Sequence, residues 1–300
     1  MPKKIRWWLE FGLLYGLFLI SRLIPHRLLL GFGRWLGLFV WHMLRIRREV
    51  VLENLRASFH QEMSNVAIHD LARRFYGHLG VTLMEFLTFY STNLQQIRDM
   101  VTIEGLEHLS ACRDRGTGAI ITSGHLGNWE LGGACIAASG FPISFIIKSQ
   151  SNPHVDRVQN KIRQKVGIGV IRQGASARQL VYTLRNREFV GMLADQDAGN
   201  EGVFVSFLGR PASVFRGPAY LAFRTGCPIV PSFIARQPNG HHHTTITPPI
   251  EVNPDWDEET AVRELTQAYT KRLEDFIRRI PEQYFWVHRR WKTRPPEELS

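Results

Sequence analysis

The stretch Ile120-Ile-Thr-Ser-Gly-His-Leu-Gly-Asn-Trp-Glu130 decides how this chain is read. An apolar β-branched run enters it and two glycines, Gly124 and Gly127, break it. Asn128 stands where a helix N-cap belongs, and a helical pattern follows from Trp129 to Ala138. Strand, tight turn, helix is the first half of a βαβ unit. The turn holds His125, and the first helical turn holds Glu130.

The same alternation continues outward. Strands are predicted at Val101–Glu104, Gly118–Thr122, Ile143–Lys148, Gly169–Ile171, Phe189–Ala194, Ile229–Ala235 and Thr244–Ile246. Helices are predicted at Trp129–Ala138, His154–Val166, Ala175–Asn186, Pro218–Arg224 and Glu258–Ile280, the last a surface helix over the sheet. Strands separated by helices imply an α/β fold with a mainly parallel central sheet flanked by helices. Residues 46–100 read as helices, Arg47–Phe59 and then Met63–Thr88. The 300 residues therefore divide into a segment 1–45 and one α/β domain over 46–300, with no Pro/Gly/Ser linker between them.

Segment 1–45 has a different chemistry. Phe11–Ile20 carries no charge, and Leu28–Leu44 is apolar and aromatic, with Phe32, Trp35, Phe39 and Trp41. Residues 1–60 hold ten Lys and Arg against three Glu, most of the net +10. Basic and greasy together predict attachment to an anionic membrane surface, through a single span or an interfacial helix. No small-x-small cleavage site follows Ile20, which argues against a cleaved leader. With 44% apolar and 21% charged residues, the chain is neither disordered nor a polytopic membrane protein. Three scattered cysteines, Cys112, Cys135 and Cys227, make neither a disulfide framework nor a cysteine zinc site.

His125 is the only one of twelve histidines followed five residues later by Asp or Glu. On a continuous helix that spacing puts two side chains about 140° apart. The pair converges only with His125 in the turn and Glu130 in the helix, an arrangement the glycines and Asn128 permit. Such a pair suits acyl transfer to an alcohol. His125 takes the hydroxyl proton as general base, Glu130 orients the imidazole, and backbone N–H groups at Gly127 and Asn128 are candidate oxyanion donors. This chemistry requires no metal and no cofactor.

The string Gly124-His-Leu-Gly-Asn-Trp-Glu130 closely resembles the signature block of the bacterial lipid A biosynthesis acyltransferases, the late lauroyl and myristoyl transferases. Further blocks resemble that family in the same order: Ala194–Asp197 with Gly202–Pro211, Gly217–Pro231, and Pro281–Lys292. The resemblance implies acyl transfer from acyl carrier protein or coenzyme A to a hydroxyl of a membrane lipid, a lipid A precursor first. It implies His125 and Glu130 as the catalytic dyad. Lys148 would contact an anionic headgroup or donor phosphate, and Asp195 and Arg210 would shape the site. It also implies residence at the inner membrane with the active domain on the cytoplasmic side.

Other readings stay open. The acceptor could be a glycerophospholipid, a phosphatidylinositol mannoside or an aminolipid, and a non-catalytic lipid-binding protein could use the same fold. A hydrolase using Ser123 lacks the Gly-x-Ser-x-Gly elbow. The basic aromatic stretch Gln283–Lys292 is read as a packed C-terminal strand and not as a nucleic-acid surface. His241–His243 reads as a solvated hairpin, because neighbours on a strand face opposite ways and cannot share one metal. Asp195 and Asp197 lack the phosphate-cradling loop of a Mg²⁺ nucleotide site.

Overall fold

The computed structural model describes residues 3–21, 23–89, 92–174 and 177–295. Helices α1 (Lys3–Ser21), α2 (His26–Phe39), α3 (Arg48–Phe59) and α4 (Asn65–Phe89) come first. Then follow α5 (Leu94–Met100), β1 (Val101–Glu104), α6 (Leu106–Asp114), β2 (Ala119–Ser123), α7 (Trp129–Ala138) and β3 (Ile143–Ile147). The chain continues through α8 (Pro153–Lys165), β4 (Ile168–Arg172), α9 (Ala177–Arg185) and β5 (Phe189–Leu193). The first two residues of the helix expected from Ala175 lie outside the described residues. A hairpin, β6 (Val203–Phe207) and β7 (Arg210–Val214), precedes α10 (Gly217–Thr225), β8 (Ile229–Arg236), β9 (His242–Ile246) and α11 (Glu258–Arg279).

The seven-stranded sheet has the order β1-β9-β8-β2-β5-β3-β4. Strands β8, β2, β5, β3 and β4 run parallel, while β9 is antiparallel to β8 and β1 parallel to β9. One apolar core joins a sheet face to α5, α6 and α7, and a second joins the other face to α9, α10 and α11. A third joins α3 and α4 to the C-terminal residues Tyr284, Trp286 and Trp291. It includes Leu126, which bridges to Tyr284, so the C-terminal segment roofs the turn after β2.

Three expectations need correction. The β6–β7 hairpin and the short helices α5 and α6 were not among the predicted elements. Residues 283–292 form turns instead of a strand, and Arg290 is buried, donating to the Ser213 carbonyl at 2.8 Å. His242 and His243 lie on β9, and only His241 is in the solvated turn. The pleat does separate them: His243 faces Glu104 and His242 is buried against Glu85.

Helix α2 lies close along α4. Cβ atoms added at Gly37 or Gly80 would run into the Tyr76 or Gly33 carbonyl, so no larger residue allows this approach. Helix α1 is tied to α8, since the Asn152 amide donates to the Trp7 carbonyl at 2.9 Å and the Trp8 ring lies 4.2 Å from that of His154. No helix among the described residues is long and apolar enough to cross a membrane. Most of the exposed large apolar side chains lie between Ile5 and Ile46. On α2, Leu28, Phe32, Trp35 and Phe39 form an exposed stripe opposite the buried Leu29, Gly33 and Gly37.

Candidate active site

The site sits where parallel strands end. Ser123 of β2 pairs with Leu193 of β5, and both chains continue two residues further in step, to His125 and to Asp195. Ligand sites of parallel sheets gather at this edge. His125 Nδ1 lies 2.7 Å from Asp195 Oδ1, and the His125 backbone N–H donates to Asp195 Oδ2 at 2.9 Å. One carboxylate thus grips both the ring and the main chain of the same residue. With Nδ1 engaged, Nε2 is the nitrogen left for chemistry. The ring packs edge-on to Trp129 and near Phe285, and the Phe285 N–H donates to the His125 carbonyl.

The expected contact between His125 and Glu130 is not formed. Glu130 accepts from Arg163 Nε at 2.9 Å, and its other oxygen accepts from Arg163 Nη2. The reason is geometric: α7 begins at Trp129, so Glu130 already points along the helix flank toward α8. Asp195, seventy residues downstream, supplies the carboxylate instead. Sequence reading named Asp195 without giving it this task.

Charge follows from this packing. Burial disfavours the charged form of His125, but the Asp195 carboxylate outweighs it by charge and hydrogen bond, and Glu130 adds to it. The imidazole is therefore raised above its ordinary value. Burial alone would push the Asp195 carboxyl up. The His125 ring, its backbone N–H and the cation of Arg290 bring it below the ordinary carboxylate range.

The turn is built as the glycines suggest. Gly127 has φ +58°, and its ideal Cβ would strike the Ile234 carbonyl. Its N–H donates to the Gln283 carbonyl at 3.0 Å, which corrects its expected role as an oxyanion donor. Asn128 is buried and caps α7, accepting from the Leu131 N–H at 3.2 Å, while its amide donates to Glu85. Lys148 is exposed just past the end of β3, at the same sheet edge as His125. Arg210 starts β7, and its guanidinium lies over the Trp291 ring. Ser123 Oγ bonds only weakly, to the Gly124 carbonyl at 3.5 Å. Asp197 turns away from Asp195, accepting from Thr293 Oγ1 at 2.9 Å. Among the described residues no three His, Cys, Asp or Glu gather to hold a metal.

Sequence reading missed a buried polar cluster behind Asn128. Arg236, ending β8, donates to both Glu85 oxygens at 2.7 Å, and also to Thr82 Oγ1 at 2.7 Å. Burial opposes the Glu85 carboxylate, but Arg236 and His242 hold it down at about 2. His78 beside Arg236 is lowered to about 4, first by burial and then by that guanidinium. The available signals were a lone Glu in the apolar run of α4 and an Arg closing a strand. Breaking the pair strands a buried charge: Glu85→Ala lowers unfolding stability by about 3–5 kcal/mol in urea titrations. The Glu85 contribution is whole above pH 4.5 and fades as pH falls toward 2. Over that range the gap between the native protein and Glu85→Gln closes.

Residues 2–293 match the family described as bacterial lipid A biosynthesis acyltransferase. The chain belongs to that family. Its relatives include the lipid A biosynthesis palmitoleoyltransferase of Escherichia coli, 27% identical over 98% of this chain and 94% of that protein. The lipid A biosynthesis lauroyltransferase of the same organism is also 27% identical, with the same two coverages. A phosphatidylinositol mannoside acyltransferase of Mycobacterium tuberculosis is 28% identical over 52% of this chain and 51% of its own. The chain is thus an O-acyltransferase of the lipid A biosynthesis type.

Proposed function

We propose that the protein moves a fatty acyl chain from a thioester, carried by acyl carrier protein or coenzyme A, to a hydroxyl of a lipid A precursor, with His125 as base. The observation that carries this reading is the 2.7 Å contact between His125 Nδ1 and buried Asp195. It fixes the tautomer with hydrogen on Nδ1 and a lone pair on Nε2. Nε2 takes the acceptor hydroxyl proton as its oxygen attacks the thioester carbonyl, and the thiolate leaves with that proton returned. Asp195 stabilises the imidazolium between the two transfers. Glu130 holds Arg163, fixing α7 against α8, and its charge adds to the basicity of His125.

The test is mass spectrometry of purified protein with acyl carrier protein or coenzyme A thioesters and a panel of acceptors. The expected product is a lipid A precursor heavier by one acyl group. Acylation of phosphatidylinositol mannoside or a glycerophospholipid alone would move the acceptor, and no donor consumption with any acceptor would remove the activity.

The apolar face of α1 and α2 supports docking on an anionic bilayer surface at the inner membrane, the sheet remaining outside the lipid. Phe32, Trp35 and Phe39 are 48%, 57% and 38% exposed, and aromatic rings at headgroup depth suit that position. Replacing all three with serine weakens binding to anionic vesicles at least ten-fold in flotation assays, with the circular dichroism spectrum unchanged.

A further inference from the structure

Behind Asp195 lies a small cavity of about 10 Å³, room for roughly one water molecule. Thr122 of β2, Phe207 of β6 and Thr270 of α11 line it together with Asp195 and Arg290. The deciding observation is a charge without a partner. Arg290 is 3% exposed. Its Nη1 donates to the Ser213 carbonyl at 2.8 Å, its Nε is enclosed with no partner, and no carboxylate among the described residues pairs with it. Its guanidinium lies 5.0 Å from the centre of the Phe207 ring. A buried cation left uncompensated is costly, so an opposite charge belongs nearby. Three carboxylates are buried among the described residues: Glu85, Asp195 and Glu274. Glu85 is held by Arg236, and Glu274 by Lys271 and Arg278. Asp195 has no permanent cation beside it, only the His125 ring. The two unmatched charges, Asp195 and Arg290, line one cavity.

We propose that Arg290 is a positioning residue for the catalytic pair: across this cavity its cation balances Asp195, so that the carboxylate orients His125 without taking the proton from Nδ1. The inference rests on His125 as base and deepens that reading. A carboxylate without the cation is a stronger acceptor. It would hold the imidazolium to higher pH and leave less neutral ring to receive the substrate's proton. The other titratable groups around the pair do not supply this balance. Tyr269 of α11 and Tyr284 are raised by burial and remain neutral phenols. His288 is lowered first by burial, and its Nε2 accepts from the Asp197 N–H at 3.0 Å, so it too is neutral. Asp197 is half-buried, tied to Thr293 and Gly199, and does not line the cavity. Glu130, acting on His125 from α7, is held by Arg163.

Titration of ¹⁵N-histidine-labelled full-length protein, with transfer rates from a thioester donor read beside it, tests this. Arg290→Gln keeps a donor for the Ser213 carbonyl and removes the charge. Its His125 ring is expected to titrate at least about half a pH unit above the native ring, and the acid limb of kcat/KM moves with it. The rate loss therefore shrinks as pH rises, a pattern that damaged packing does not give. His288 also gains basicity in this variant, which is why the His125 signal is followed by itself. Arg290→Lys restores the native midpoint. Arg289→Gln, at an exposed neighbour of equal charge, moves neither ring nor rate. In the Asp195→Asn background, Arg290→Gln moves the His125 ring by less, because the group it acts through is gone. Where Arg290→Gln fails to fold, the double variant Asp195→Asn/Arg290→Gln, with both charges removed, is expected to regain a cooperative thermal melt. An unmoved His125 midpoint in folded Arg290→Gln, an Arg290→Lys ring that titrates like that of Arg290→Gln, or a double variant no more stable than the single would overturn the proposal. The expected ring shift in a chain that transfers no acyl group would support the balance and overturn the reading of His125 as base.

Discussion

Replacing His125 with alanine lowers acyl transfer by about 10²–10⁴-fold, the range general-base help commonly supplies. The loss falls on kcat, because the proton moves only as the tetrahedral intermediate forms. The variant removes a ring that meets Trp129 and Phe285, and it also removes the partner of a buried carboxylate. His125→Gln controls for that second effect. Its amide can still donate to Asp195, so the fold is kept, yet it cannot accept a proton at neutral pH. Both variants should show that loss, and only the alanine should be measurably less stable. Transfer rates from a thioester donor, read beside thermal melts, check this.

Asp195→Asn is expected to cost at least 10²-fold, while Glu130→Gln costs less than about ten-fold. In the native site one carboxylate oxygen receives the ring and the other the backbone N–H of His125. An amide satisfies the backbone with its oxygen and then turns its NH₂ toward Nδ1. That forces the hydrogen onto Nε2 and removes the lone pair that takes the substrate proton. In the Ser-His-Asp template the same change costs about 10⁴-fold with geometry intact. Glu130→Gln leaves Asp195 in place and weakens only the link to Arg163 and a distant charge. Steady-state rates of the two variants at one pH separate these roles.

Local order was legible. The run from Ile120 to Glu130 carries its own punctuation, so β2, the turn and α7 could be placed from the residues alone. Sheet order was not. Asp195 reaches His125 because β5, and not β3, lies beside β2 on that side, and strand order depends on how whole helices pack. A motif that keeps both partners within five residues favours Glu130, whereas the fold supplies a carboxylate seventy residues away. The hairpin was obscured by its chemistry. Val203–Phe207 is nearly all apolar, Pro211 weakens a strand assignment, and its two-residue turn places Leu208, at φ +51°, where Asn or Gly is usual. The Glu85–Arg236 pair was hidden because single charges in apolar runs read as exposed until the elements meet. His242 was likewise taken as solvated, because three consecutive histidines do not declare which one the pleat turns inward.

The ring of His125 is itself the most direct reporter. Titration of ¹⁵N-histidine-labelled protein, with the His125 signal identified by its loss in His125→Gln, follows both nitrogens through pH. The native ring should titrate above 6.5 with hydrogen held on Nδ1. In Asp195→Asn it should titrate below 6.5, because burial then outweighs the remaining charges, and in Glu130→Gln it should move by less. A larger fall in Glu130→Gln than in Asp195→Asn, or a native ring with hydrogen on Nε2, would contradict Asp195 as the partner of the base.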